Sequence, residues 1–198
     1  MTIFVGLGNH EPKYLDTKHN VGYWVLDSFA EKYGLEFKPG KGNYFVAKKG
    51  SSFMLIKPTT GMNNSGAIIN EVLSFYKAKK EDLVIIFDDV DLPLGEIRFR
   101  TDGGDGCHNG MKSVLKYVSS EKINRLKVGI AADDYKRPSE KYVLKPFNKC
   151  YQPLVQDVII FANEAMKSFI DNGQEFTMNN YNNPVSYTHL TLPTTPYV

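Results

Sequence analysis

Leu83-Val84-Ile85-Ile86-Phe87-Asp88-Asp89-Val90-Asp91 joins an apolar run to a cluster of carboxylates. Its first five residues are continuously apolar and mostly β-branched. A half-exposed strand alternates, and a helix repeats every three to four residues. An unbroken short run instead suits a strand covered on both faces. Three carboxylates follow within four residues. In an open sheet with parallel strands, the residues just past the carboxyl end of a buried strand face the crevice where ligands bind. The stretch therefore predicts both a fold class and a place for chemistry.

Working outward, Ile3-Phe4-Val5, Phe53-Met54-Leu55-Ile56 and Leu126-Lys127-Val128-Gly129-Ile130 read as strands, most of them equally continuous. Ile97-Arg98-Phe99-Arg100 alternates, as an edge or half-exposed strand would. Tyr44-Phe45-Val46-Ala47 is expected to hairpin onto Phe53–Ile56 through Gly50-Ser51-Ser52. Helical spacing links Val21, Trp24, Val25, Phe29 and Tyr33, with Gly34 as a stop. It recurs through Ile68, Ile69, Val72, Leu73 and Tyr76, where Asn63, Asn64 or Ser65 offers an N-cap. Met111, Val114, Leu115 and Val118 follow a glycine-rich loop, and a long stripe from Leu154 to Phe169 ends near Gly173. Strands and helices interleave, which predicts an α/β single domain: a twisted, mixed, mostly parallel sheet flanked by helices.

The chain of 198 residues is long enough to bury its own core. With 42% hydrophobic and 23% charged residues it is neither disordered nor fibrous. No apolar run approaches the length of a membrane helix, and Met1–Gly6 lacks the basic leader of a signal peptide. Two cysteines, Cys107 and Cys150, are too few for a disulfide scaffold and point to the cytoplasm. The net charge of +2 permits a nucleic-acid partner without demanding one. We assign 1–183 to the domain. Residues 184–198, free of charge and of any period, read as an irregular tail of the kind an expression vector leaves.

His19-Asn20 and His108-Asn109 each sit in a loop ahead of a helix. A carboxylate such as Asp88 could orient a histidine, or Asp88, Asp89 and Asp91 could hold magnesium. Zinc spacing is absent. Gly6-Leu7-Gly8-Asn9-His10-Glu11 and Gly106-Cys107-His108-Asn109-Gly110-Met111-Lys112-Ser113 imitate nucleotide-binding loops but lack a required glycine, at Glu11 and Met111 respectively. Such loops would bring backbone amides to an anion or a developing oxyanion. Asn9, Asn63 and Asn109 near three strand ends suggest a shared polar cleft, since an amide can both donate and accept without charge.

In order and spacing, several blocks resemble the bacterial peptidyl-tRNA hydrolase family. They are Val5–Asn9, Tyr14–Gly22, Lys57–Gly66, Asp88–Arg98, Gly103–Ser113 and Arg125–Ile130. The resemblance implies hydrolysis of the ester joining a peptide, or an N-blocked aminoacyl group, to the terminal ribose of tRNA. It implies His19 as the general base and Asp88 as its orienting carboxylate. Asn9, Tyr14, Met62, Asn63, His108 and Asn109 would hold substrate, and Arg100 with Lys127 would clamp the tRNA 5′ phosphate. It also implies a cytoplasmic monomer that uses no metal or cofactor, with peptidyl-tRNA as partner and no membrane association. Departures from the family pattern fall at Lys18, His10-Glu11, Gly61, Phe87 and Cys107. Cys107 stands where the family has glycine, so a nucleophilic role for it has no family support. The chemistry is coherent on its own: an activated ester needs proton removal from water, oxyanion stabilisation and positioning. The competing readings are a catalytically weak RNA-binding homologue and a magnesium-dependent phosphoryl enzyme.

Overall fold

A computed structural model describes residues 1–135 and 137–184. Its sheet has seven strands in the order β2-β3-β4-β1-β5-β7-β6. They are β1 (Thr2–Gly6), β2 (Lys38–Pro39), β3 (Tyr44–Lys49), β4 (Phe53–Pro58), β5 (Leu83–Pro93), β6 (Ile97–Arg100) and β7 (Asn124–Ala131). The four central strands, β4, β1, β5 and β7, run parallel. β2, β3 and β6 pair antiparallel at the margins. The alternating segment Ile97–Arg100 is the edge strand its pattern predicts.

Helices cover both faces. On β1, Phe4 packs with α1 (Val21–Lys32) and α5 (Gln152–Tyr181), while Ile3 and Val5 pack toward α2 (Ser65–Tyr76) and α3 (Asn109–Val118). Successive side chains of a strand point to opposite faces, so a strand with two buried faces must be apolar throughout. Burial of each such side chain contributes about 1.5–3 kcal/mol. No helix among the described residues is long and apolar enough to cross a membrane.

Several details depart from the sequence pattern. The run of carboxylates does not lie beyond its strand, because β5 continues to Pro93 with a register irregularity between Asp89 and Pro93. The helix carrying the Leu154–Phe169 stripe breaks at Gly173, as its pattern predicts, but a further helical segment follows. Gly173 adopts φ 80° and ψ −176°, and the helix resumes to Tyr181, with the Thr177 hydroxyl donating to Gly173 O at 2.8 Å. Asn64 occupies the N-cap of α2, yet no side chain caps it; the Ser65 hydroxyl instead donates to Met62 O. A short helix α4 (Ser139–Val143) was not foreseen, since five residues are too few to show a period. Pro184, first residue of the expected tail, bridges Glu96. The rest of that tail, 185–198, lies outside the described residues.

Candidate active site

The strand ends build the site. β1 stops at Gly6, opposite Ile86, while β5 runs on and lifts Asp88 above the end of its neighbour. The 3-10 turn Lys18–Asn20 leads into α1 and is pressed against this point. The approach requires Gly22, where a Cβ would come within 2.4 Å of Ile86 O. Across the opening, α3 begins at Asn109 with His108 as its N-cap. Between them lies a cleft of about 510 Å³, whose wall on the α4 side includes Val143 and Leu144.

Asp88 is buried and shared by two histidines. Its Oδ1 lies 2.9 Å from His19 Nδ1 and 3.0 Å from His108 Nε2, and its Oδ2 lies 3.1 Å from His19 Nδ1. The backbone fixes one tautomer. Met111 N–H donates to His108 Nδ1 at 3.2 Å, so the His108 proton is on Nε2, where it meets the carboxylate. His19 likewise donates from Nδ1 to Asp88. Its Nε2 has no partner among the described residues and is open to the cleft. Burial alone would lower the His19 pKa, but the charge and hydrogen bonds of Asp88 outweigh it and the net shift is upward. Burial likewise pushes the Asp88 carboxyl up, and the two imidazoles overcome it, holding the group well below the usual carboxylate range.

Asn9 is held on three sides. Its N–H donates to Asn20 Oδ1 at 2.7 Å, and Asn20 Nδ2 returns a bond to Asn9 O at 2.9 Å. Asn9 Oδ1 accepts from Met62 N–H at 2.9 Å. These bonds consume its acceptors and leave its NH₂ as a donor on the cleft wall. Asn63 and Asn109 are exposed and line the cleft near the starts of α2 and α3, and Tyr14 and Met62 also line it. A carboxylate-oriented imidazole with a free Nε2, facing neutral amide donors, is equipped to take a proton from water beside an ester carbonyl.

The model of the peptidyl-tRNA hydrolase family matches residues 3–188. This chain belongs to the peptidyl-tRNA hydrolase family. It is 38% identical to peptidyl-tRNA hydrolase of Chlorobaculum parvum over 94% of this chain and 100% of that protein. It is 41% identical to peptidyl-tRNA hydrolase of Chlorobium phaeobacteroides over 93% and 100%. The crystal structure of peptidyl-tRNA hydrolase from Acinetobacter baumannii superposes with a TM-score of 0.86 at 29% identity, covering 93% of this chain and 96% of that one.

In this peptidyl-tRNA hydrolase family member, His19, Asp88, His108, Asn9, Tyr14, Met62, Asn63, Asn109 and Lys127 all line one cleft. Arg100 does not; it is exposed at the end of β6. In the β6–β7 ladder Lys127 lies opposite Arg98 and Arg100 opposite Arg125, which puts all four side chains on one face. Lys127 is not free: its Nζ pairs with Asp89 Oδ2 at 2.8 Å. Arg125 is fully buried and donates to the carbonyls of Gly104, Glu121 and Ile123, which anchors the glycine-rich loop ahead of His108. The family departures have local consequences. Phe87 packs edge-on against His108, and Cys107 holds the left-handed φ of 59° that glycine adopts freely. Both cysteines are free and exposed. Asn20, beside His19 in the sequence, is a buried partner of Asn9 that the motif alone does not assign. An asparagine immediately before an apolar helix face was the available signal.

Proposed function

We propose that this chain hydrolyses the ester between a peptide, or an N-blocked aminoacyl group, and the 3′-terminal ribose of tRNA, and releases tRNA for reuse. The observation that carries the reading is the orientation of His19: Nδ1 bound to Asp88, Nε2 open to the cleft. His19 Nε2 accepts a proton from water as the oxygen attacks the ester carbonyl. The Asn9 NH₂ and the amino end of α3 at Asn109 face the developing oxyanion. When the tetrahedral intermediate collapses, the imidazolium returns the proton to the departing ribose oxygen. The products are a peptide carboxylic acid, ionised at neutral pH, and a free hydroxyl. The raised proton affinity of His19 suits this second half-step, because Asp88 stabilises the imidazolium.

The reaction proceeds without a metal in this reading. One ligand atom each of His19, Asp88 and His108 does lie within 4.8 Å of the others, a donor set a divalent cation could use. Met111 N–H, however, keeps the His108 proton on Nε2, and a protonated nitrogen cannot be a ligand. Arg100 and Lys127 would hold the tRNA 5′ phosphate from the shared face of β6 and β7. We read the enzyme as a cytoplasmic monomer.

The test is single-turnover hydrolysis of an N-acetyl-aminoacyl-tRNA with and without EDTA, for wild type and His19→Ala. The expected result is cleavage that survives EDTA and falls by about 10²-fold or more without the imidazole. A loss below threefold would remove His19 as the base. Abolition by EDTA would restore the metal reading, and binding without turnover would leave an RNA-binding homologue.

A further inference from the structure

Lys18 stands next to His19 and has no part in the mechanism above. Its side chain is buried, although a lysine ammonium ordinarily reaches water. No carboxylate among the described residues lies within ion-pair distance of it. Its Nζ donates to Pro146 O at 2.9 Å and Lys145 O at 3.3 Å, and its backbone N–H donates to Lys145 O at 3.1 Å. The ammonium also lies 4.0 Å from the centroid of the Tyr142 ring and 5.0 Å from that of Phe147. Burial lowers its pKa despite the more distant charge of Asp134.

Every one of these partners belongs to α4 or the turn that follows it. Tyr142 is itself pinned: its hydroxyl donates to Ile130 O at 2.8 Å and accepts from Ala132 N–H at 3.1 Å, at the end of β7. Val143 and Leu144, beside it, line the cleft facing the catalytic groups. The ammonium thus joins the turn that carries the base to the wall against which substrate lies. A cation bound by two carbonyls and two ring faces is directional, and a neutral chain of the same length would supply neither set of contacts.

We infer that Lys18 is a positioning residue, whose ammonium fixes the turn carrying His19 against the α4 wall and so sets the distance between the base and the bound ester. The inference rests on the reading of His19 as base. Displacement of a reacting group by ~1 Å can cost about 10²-fold in rate. Lys18 acts through geometry and not through charge on the imidazole, because the upward shift of His19 traces to Asp88.

The experiment compares Lys18→Met and Lys18→Arg with wild type in kcat, KM and the pH profile of kcat, below the melting temperature of each. Lys18→Met should lower kcat by about tenfold or more with its acid limb unmoved. Lys18→Arg, which keeps a cation with several donors for the same carbonyls and rings, should lose clearly less activity than Lys18→Met. Three results would overturn the inference: Lys18→Met within twofold of wild type, Lys18→Arg falling as far as Lys18→Met, or a shifted acid limb with the plateau intact. Should Lys18→Met fail to fold, Tyr142→Leu removes the ring beneath the ammonium. A kcat within twofold of wild type there would equally defeat the proposal. His19→Ala run in parallel keeps the two readings apart: full activity in that variant sinks the base assignment, whereas an inert Lys18→Met beside a dead His19→Ala sinks only the positioning role.

Discussion

Asp88, Asp89 and Asp91 leave one strand within four residues and come to rest in three different settings. Asp88 is buried between two imidazoles; its side chain is 2% exposed. Asp89 is mostly covered and holds Lys127 at 2.8 Å, with 16% and 24% of the two side chains exposed. Asp91 meets Arg137 at 3.2 Å in near-open solvent, at 65% and 79%. The chemistry of the three groups is identical, so the differences lie in solvent and partners. A buried carboxylate that loses its partners, or is replaced, disturbs everything oriented by it. An exposed pair is screened and holds two mobile side chains for little net gain.

The deep end should respond most. Asp88→Asn replaces one carboxylate oxygen with an NH₂, a donor facing His19 Nδ1, and this favours the tautomer whose Nε2 carries the proton. On the proposed mechanism the base is then unavailable, and kcat should fall by on the order of 10²–10⁴-fold, as for loss of the carboxylate in other His–Asp pairs. The pH dependence sharpens the point. Because Asp88 raises the His19 pKa, the wild-type acid limb of kcat should lie above the ordinary histidine value of about 6.5, with activity rising as pH rises through it. In Asp88→Asn the limb should move to lower pH, since burial then acts on the imidazole without the opposing charge. Stability has its own signs. The His19 contribution is full below about pH 6.5 and is lost as pH rises through the elevated folded value. The Asp88 contribution is present above the usual carboxylate range and is lost as pH falls through its depressed folded value. A kcat–pH profile with an unmoved limb would break the claim that Asp88 governs the base.

The contrast also marks what could be read in the sequence. Leu83–Phe87 announced a doubly covered strand because side-chain alternation leaves such a strand no polar position. Ile97–Arg100 announced an edge for the converse reason. The three carboxylates look alike in sequence and leave open an orienting carboxylate for a histidine or a shared magnesium site, because nothing local says which partner each will meet. His19 lies 69 positions from Asp88, and only family resemblance joined them. The Lys127–Asp89 pair depends on the register of β5 with β7, where Lys127 faces Phe87, and register is a property of the assembled sheet. Gly173 signalled a stop, and its backbone does break the helix. The resumption beyond it depends on tertiary contacts, including the Asn182 side chain bonded to the backbone of Phe99.

The middle pair separates an RNA contact from a purely structural bridge. Lys127→Ala should weaken tRNA binding and reduce the slope of log K against log salt by about 1, the signature of one lost phosphate contact. Arg100→Ala should do the same if both residues clamp one phosphate. Asp89→Asn is the more telling change. Its remaining oxygen can still accept the Asp91 N–H, which now bonds Asp89 Oδ1 at 2.9 Å, while Lys127 loses its counter-charge. Binding at low salt should then tighten several-fold, at a cost in stability of about 1 kcal/mol. Unchanged affinity in Asp89→Asn would mean that Lys127 meets no phosphate and that its ion pair serves the fold alone.

The rim pair should matter least, and that expectation is as exposed to failure as the first. Arg137 and Asp91 are long-range neighbours that each keep most of their surface in water, so the coupling energy between them should be about 0–1 kcal/mol and should fade further with added salt. A double-mutant cycle of Arg137→Ala and Asp91→Ala by denaturant unfolding measures it directly. A coupling near zero, beside a loss of catalysis at Asp88 three residues away, would show that burial and partner number, not the carboxylate itself, set the rank order along β5. A coupling above about 2 kcal/mol, resistant to salt, would require the pair to be shielded from solvent, and the gradient from deep end to rim would then have to be given up.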